Sequence, residues 1–197
     1  MINVYDDFAP QGVADKIYET IVNDRFWRVG WNTKLHDSLP NWNWHRSMGQ
    51  DRLNMGNDVV DWTDVEPAIQ ELWDITDQKL LEVKGVRHKI DRIYANAHTY
   101  AQDGNMHTDD GSVTCLYYPL KNWNVLHEGG TAFYDDDVTD CIKYASYKHN
   151  RMVIFDAQIP HRAMPITRDC YELRSVLVFK TSIDVNDPTY AEWYYNR

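Results

Sequence analysis

The stretch KIDRIYANAHTYA, residues 89–101, decides the fold class. In an extended chain it puts Arg92, Tyr94, Asn96, His98 and Tyr100 on one face and Ile93, Ala95, Ala97 and Thr99 on the other. Downstream, Val113–Leu120, Thr131–Tyr134, Ile142–Lys148, Arg151–Phe155 and Tyr171–Thr181 are further strand candidates, each bounded by Gly, Asp, Asn or Pro. Upstream the period changes to that of helices. Val13, Ile17, Tyr18 and Ile21 predict a helix over Val13–Val22, and Val65, Ile69, Leu72, Trp73, Leu80 and Val83 trace one stripe over Asp64–Val83. Thr63 with Glu66 reads as a capping box, Pro67 falls in the first turn, and Gly85 is placed to end the helix. Residues 24–62 are rich in Asn, Asp, Gly and Trp, show no clear period, and read as irregular connections with room for short strands. Helices followed by many short strands predict an α+β protein, mainly β, whose second part is a β-sandwich or barrel.

The chain of 197 residues suits a single domain, and it shows no internal repeat, low-complexity tract or linker. Three parts are expected within it: residues 1–87 with helices and Trp-rich loops, a strand-rich core over 88–182, and a tail over 183–197. A formal charge of −10 argues against a protein devoted to nucleic-acid phosphates or anionic lipid, while leaving room for one basic pocket. No apolar run approaches a bilayer span, and the start MINVYDDF lacks the basic and apolar regions of a signal peptide, so a soluble cytoplasmic protein is expected. Cys115, Cys141 and Cys170 are odd in number without C-x-x-C spacing and read as buried thiols in a reducing compartment. The chain also carries 13 Tyr and 8 Trp; Trp27, Trp31, Trp42, Trp44 and Trp62 crowd its first third and read as core packing, or else as a lip over a site.

The chemistry starts at His107-Thr108-Asp109, where an imidazole and a carboxylate two residues apart leave the same face of an extended chain. Alone the pair means little, because chance supplies such a spacing in a chain with 8 His and abundant Asp. Its setting adds weight: it follows a strand with a polar face and the turn Gln102-Asp103-Gly104-Asn105. A second histidine, His161, stands in Pro160-His161-Arg162 directly after the apolar strand Met152–Phe155. Two imidazoles and one carboxylate are the donor set of a non-haem Fe(II) site with open positions. The last strand carries Arg174, Val176, Val178 and Lys180 on one face and Leu173, Ser175, Leu177 and Phe179 on the other. A guanidinium in such an apolar strand needs an anion, and its planar fork matches a carboxylate.

From His98 to Thr181 the sequence resembles the catalytic core of the 2-oxoglutarate- and Fe(II)-dependent oxygenases, nearest to the prolyl-hydroxylase type. The matching pieces are Tyr100, Gly104 and His107-Thr108-Asp109, then Val113-Thr114-Cys115-Leu116-Tyr117-Tyr118 with Trp123. Glu128-Gly129-Gly130-Thr131, Phe155-Asp156, Pro160-His161-Arg162 and Arg174-Ser175-Val176 follow in order. The resemblance implies a double-stranded β-helix (jelly-roll) with the N-terminal helices packed on one sheet. It implies His107, Asp109 and His161 as iron ligands, Arg174 and the Tyr118 phenol on the distal carboxylate of 2-oxoglutarate, and Tyr100 on the cavity wall. The interval from His161 to Arg174 is longer than the family commonly shows, which makes Arg168 a rival; a strand position gives Arg174 the firmer inward aim. Implied with the fold are Fe(II), 2-oxoglutarate and O2, ascorbate as reductant, and hydroxylation of an aliphatic C–H in a prolyl or peptidyl, or small amino-acid-like, substrate. A cupin-type metal-binding sandwich with other chemistry and a non-catalytic binding domain are the competing readings. No membrane partner is expected, nucleic acid is disfavoured, and the oligomeric state is open.

Asn96 and His98 share the face of Tyr94 and are candidates for a substrate pocket or for structural polar groups. Asp135-Asp136-Asp137 reads as a solvated hairpin turn, with a calcium site as the alternative, and Asp110 as a turn residue. His36, His45, His88, His127 and His149 have no ligand spacing and read as surface or loop histidines. The tail aromatics Tyr190, Trp193, Tyr194 and Tyr195 read as packing on the fold or forming a contact between chains.

Overall fold

The computed structural model describes residues 1–23, 27–31, 43–49, 60–102 and 104–196. Trp42, His36, Asp103 and the side chain of Trp31 lie outside the described residues. In chain order the elements are β1 (Ile2–Tyr5), α1 (Gln11–Val22), β2 (Arg28–Trp31), β3 (Asn43–Met48), α2 (Pro67–Lys84), β4 (His88–His98) and β5 (Val113–Tyr118). They continue with β6 (Thr131–Tyr134), β7 (Cys141–Ala145), β8 (Arg151–Asp156), β9 (His161–Ala163), β10 (Arg174–Ile183) and α3 (Pro188–Tyr195).

The strands form two antiparallel sheets, a seven-stranded one in the order β1-β8-β5-β10-β4-β3-β2 and a three-stranded one in the order β7-β6-β9. Period-two alternation gives the large sheet two distinct faces. Ile93, Ala95, Cys115, Tyr117, Leu177 and Phe179 point to one side, where Ile17 and Ile21 of α1 and Ile69, Leu72 and Leu80 of α2 cover them. Leu116, Tyr118, Val176 and Val178 point to the other, toward Phe133 of the small sheet. Both faces are thus covered, which is why β5 and the first eight residues of β10 are buried throughout. This is the mainly β α+β arrangement expected, a double-stranded β-helix with the N-terminal helices on one sheet. No helix among the described residues is long and apolar enough to cross a membrane.

Several boundaries differ from the sequence reading. The capping box is absent: Asp61 accepts from the Thr63 backbone N–H at 2.9 Å and caps a short 3-10 turn, Trp62–Asp64. Glu66, at the N-cap of α2, makes no capping bond because its carboxylate is drawn to Arg46. Pro67 opens the helix, and Gly85 ends it with φ 71° while donating to the Leu81 carbonyl at 2.9 Å. The strand sought at Tyr171 begins only at Arg174, so Arg174 opens β10 rather than lying within it. It is nonetheless buried, because it pairs with His98 across the sheet. Strands β2 and β3 lie in the aperiodic segment, and β3 extends the large sheet beyond β4. Trp27 and Trp62 pack on the helix-side core and not on the cavity. His45 and His88, read as surface or loop histidines, are buried strand residues: His45 meets the Asn96 amide oxygen at 2.7 Å, and His88 donates to the Val86 carbonyl at 3.1 Å. His127 and His149 are half-buried. Cys115 and Cys170 are buried free thiols, whereas Cys141 on β7 is exposed. Asp135 closes the β6–β7 hairpin by accepting from the Thr139 and Asp140 backbone. The tail forms α3, tied to the fold by the Arg87 N–H donating to Thr189 Oγ1 at 3.0 Å, with Tyr194 and Tyr195 exposed.

Candidate metal centre

Backbone pairing brings the distant ligands together. His107 and His161 form an isolated antiparallel bridge, each N–H donating to the other's carbonyl at 3.1 and 2.9 Å. That bridge lays the His-x-Asp segment alongside β9 and sets the imidazole centroids 4.3 Å apart. The Asp109 N–H donates to the Ala157 carbonyl at 2.7 Å, and the Gln158 amide donates to the Asp109 carbonyl at 2.9 Å. Phe155 meets the His161 ring edge-to-face at 4.7 Å, and Phe133 stacks near the same ring at 6.0 Å.

One donor atom from each of His107, Asp109 and His161 lies within 4.8 Å of the others. Backbone carbonyls fix the tautomers: His107 Nδ1–H donates to the Asn105 carbonyl at 2.7 Å and His161 Nδ1–H to the Ile159 carbonyl at 2.9 Å. A carbonyl only accepts, so both Nε2 lone pairs are left free toward Asp109, at 3.4 Å from Oδ1 and 3.5 Å from Oδ2. Burial pulls the His161 imidazole down to about 4, against the pull of the Asp109 charge, so it is neutral at neutral pH. Burial works against ionisation of Asp109, but the Lys180 ammonium on its Oδ1 helps to outweigh that cost, and the carboxyl is held well below the usual range. Thr114 Oγ1 donates to Asp109 Oδ2 at 2.6 Å. Two imidazoles and one carboxylate, turned inward by their own backbone bonds, fit a divalent transition metal.

These groups open into a cavity of ≈ 460 Å³ between the sheets. Arg174 lines it and is 1% exposed. Its Nε donates to the Gly129 carbonyl, and Nη2 reaches the Gly130 carbonyl at 3.5 Å. The Tyr118 and Tyr147 rings lie 6.0 and 5.7 Å from its guanidinium carbon. No carboxylate among the described residues pairs with it, so a buried cation is left requiring an anion from outside. The Glu-Gly-Gly turn makes this possible. Gly129 has φ +72°, and a Cβ there would stand 2.7 Å from Ile166 Cγ2 and 3.4 Å from Arg174 Cδ. Gly129→Ala is therefore expected to cost about 2–4 kcal/mol in chemical denaturation, from left-handed strain plus overpacking.

Tyr118 is fully buried, its hydroxyl 2.7 Å from Thr131 Oγ1, and burial raises its phenol so that it stays protonated. Arg168 has an 81% exposed side chain that among the described residues pairs with its neighbour Asp169, which removes it as a rival. Tyr100 is a correction: it stands beyond the end of β4 before the positive-φ residue Ala101, is 55% exposed and does not line the cavity. His98 takes the wall position beside Arg174 instead; it is 2% exposed and its Nε2 has no hydrogen-bond partner among the described residues. Burial, then the Arg174 charge, holds its imidazole neutral. Asp110 is exposed and paired with Arg92. The residue most clearly missed by sequence reading is Lys180, buried with its ammonium on Asp109. The signal was present, since Lys180 alternates onto the same face as Arg174.

No protein-family model matches the sequence, and no curated protein is recognisably similar to it. Solved structures are. A prolyl hydroxylase from Trichoplax adhaerens, in complex with a hypoxia-inducible-factor oxygen degradation domain peptide, superimposes with TM-score 0.64 at 16% identity, over 97% of this chain and 86% of that one. A 2OG-Fe(II) oxygenase-family oxidoreductase from Burkholderia pseudomallei gives TM-score 0.67 at 11% identity, over 92% and 84%. A Pseudomonas putida prolyl-4-hydroxylase gives 0.59 at 13%, over 91% of each chain. The chain has the fold of these oxygenases. At such identities the likeness is one of backbone path, and the chemistry rests on the side chains described above.

Proposed function

We propose that the protein is a non-haem Fe(II) dioxygenase that couples oxidative decarboxylation of 2-oxoglutarate to hydroxylation of an aliphatic C–H, on a prolyl or peptidyl substrate or a small amino-acid-like one. The observation that carries this is the pairing, in one cavity, of an inward-turned His-Asp-His set with a buried arginine that has no carboxylate partner among the described residues. A cupin-type site or a binding domain has no use for that uncompensated cation. The structural neighbour solved in complex with a peptide supports a peptidyl substrate as one form of the reading.

His107 and His161 would hold the metal through Nε2 and Asp109 through its carboxylate. Bound iron with 2-oxoglutarate would supply the O2-dependent oxidation, which releases CO2 and places one oxygen atom in succinate and the other in the substrate. Arg174 would receive the distal carboxylate of the 2-oxo acid in two-point geometry, with the Tyr118 hydroxyl as a further donor. His98, neutral and with a free Nε2, would face the same ligand or the substrate beside it. Val176, Val178 and Leu116 keep the sheet side of the cavity apolar and exclude water from the reacting groups. Ascorbate would act as an external reductant.

The test is succinate formation from 2-oxoglutarate by the purified protein given Fe(II) and O2, with peptidyl-proline and free amino acids as substrates. Succinate above the metal-free control supports the reading. None with any substrate, in protein shown to bind both Fe(II) and 2-oxoglutarate, would overturn it.

A further inference from the structure

Lys180 belongs to no part of the function set out above. It lies on the inward face of β10, opposite Arg92 of β4 and Thr114 of β5, next to a register shift between Lys180 and Thr181. Such irregularities re-aim side chains near functional sites. Lys180 is 4% exposed, and its ammonium sits on Asp109 Oδ1, the same oxygen that lies 3.4 Å from His107 Nε2. The only other carboxylate the ammonium approaches among the described residues is Asp110, at 3.9 Å, which is exposed and held by Arg92. A carboxylate and an ammonium, each buried, therefore neutralise one another inside the candidate ligand set.

We propose that Lys180 is a tethered counter-cation, which holds Asp109 when no metal is bound and competes with a divalent metal for that carboxylate. This rests on the reading of His107, Asp109 and His161 as a metal site. The physical reason is charge. Without metal, an uncompensated buried carboxylate at Asp109 is costly; Lys180 removes that cost and in return has its own charge met. With a divalent ion on the carboxylate, the same ammonium becomes a like-charged neighbour at close range. Whatever Lys180 contributes to the metal-free form beyond the metal-bound form is subtracted from metal affinity. Lys180 thus keeps the empty centre assembled and weakens metal binding. A lysine that merely oriented Asp109 in both forms would do the opposite on removal and weaken binding further.

The experiment compares wild type with Lys180→Met in metal-stripped full-length protein, by thermal melting and by Mn²⁺ titration calorimetry. The expected result is a lower melting temperature without metal and a Mn²⁺ affinity at least about tenfold tighter, from loss of a like charge in a low-dielectric site. Lys180→Gln serves as a second neutral variant should the methionine fail to fold, and Lys180→Arg should behave as wild type. In an Asp109→Asn background without metal, Lys180→Met should no longer lower the melting temperature. Unchanged or weaker Mn²⁺ affinity overturns the proposal, as does an equal loss of stability in the Asp109→Asn background. Wild-type protein that takes up no Mn²⁺ overturns the metal reading itself; the metal-free Lys180–Asp109 coupling is measured independently of it.

Discussion

His107→Ala is expected to abolish tight divalent-metal binding while leaving the protein folded. The imidazole contributes Nε2 to a three-atom cluster, and its Nδ1 bond to the Asn105 carbonyl is its one orienting contact with the backbone. Loss of outer partners of a metal ligand costs roughly 10- to 100-fold in affinity, so loss of a ligand itself should cost at least the upper end. The fold should persist because the His107–His161 bridge is made by backbone atoms that alanine keeps. Calorimetric titration with Mn²⁺ or anaerobic Fe(II), beside thermal melting of the metal-free form, checks both halves. Metal affinity equal to wild type would remove His107 from the site and with it the proposed chemistry.

Arg174→Ala should raise the 2-oxoglutarate requirement steeply. Breaking a buried ion pair by removing one partner costs about 3–5 kcal/mol, which corresponds to roughly a hundred- to several-thousand-fold in affinity. Arg174→Lys keeps the charge and loses the fork, so it should fall between. Metal binding should stay near wild type, because no atom of Arg174 belongs to the His107–Asp109–His161 cluster. Dissociation constants for 2-oxoglutarate with Mn²⁺ present separate these effects. An Arg174→Ala protein that binds 2-oxoglutarate as tightly as wild type would show that the anion for this guanidinium is something else.

The period-two pattern of residues 89–101 was sufficient to place Tyr94, Asn96 and His98 on one face of a strand, and all three line the cavity. It failed at Tyr100, because alternation shows which way side chains point but not where pairing stops. The chain leaves the sheet after His98, whose partner Arg174 is the first residue of β10. For the same reason β9, a strand of 3 residues, is invisible in sequence: it exists only because β6 lies beside it. Glu66 shows a local signal overridden by a distant charge, since the capping pattern is present but Arg46 on β3 takes the carboxylate. His45 and His88 read as surface residues because their burial depends on neighbours that local composition does not reveal.

Sequence alone determined the helix-then-strand order, the shared face of His107 and Asp109, and the face that carries Arg174. Each follows from a period of 2.0 or 3.6 acting over a few residues, which is local stereochemistry. Tertiary structure decided which of these groups meet. His161 reaches His107 through a backbone bridge across 54 positions of chain, Arg168 is left in water, and Lys180 is brought onto Asp109. Those outcomes depend on sheet register and on the free energy of burying charge, and both are properties of the folded assembly rather than of any one stretch of it.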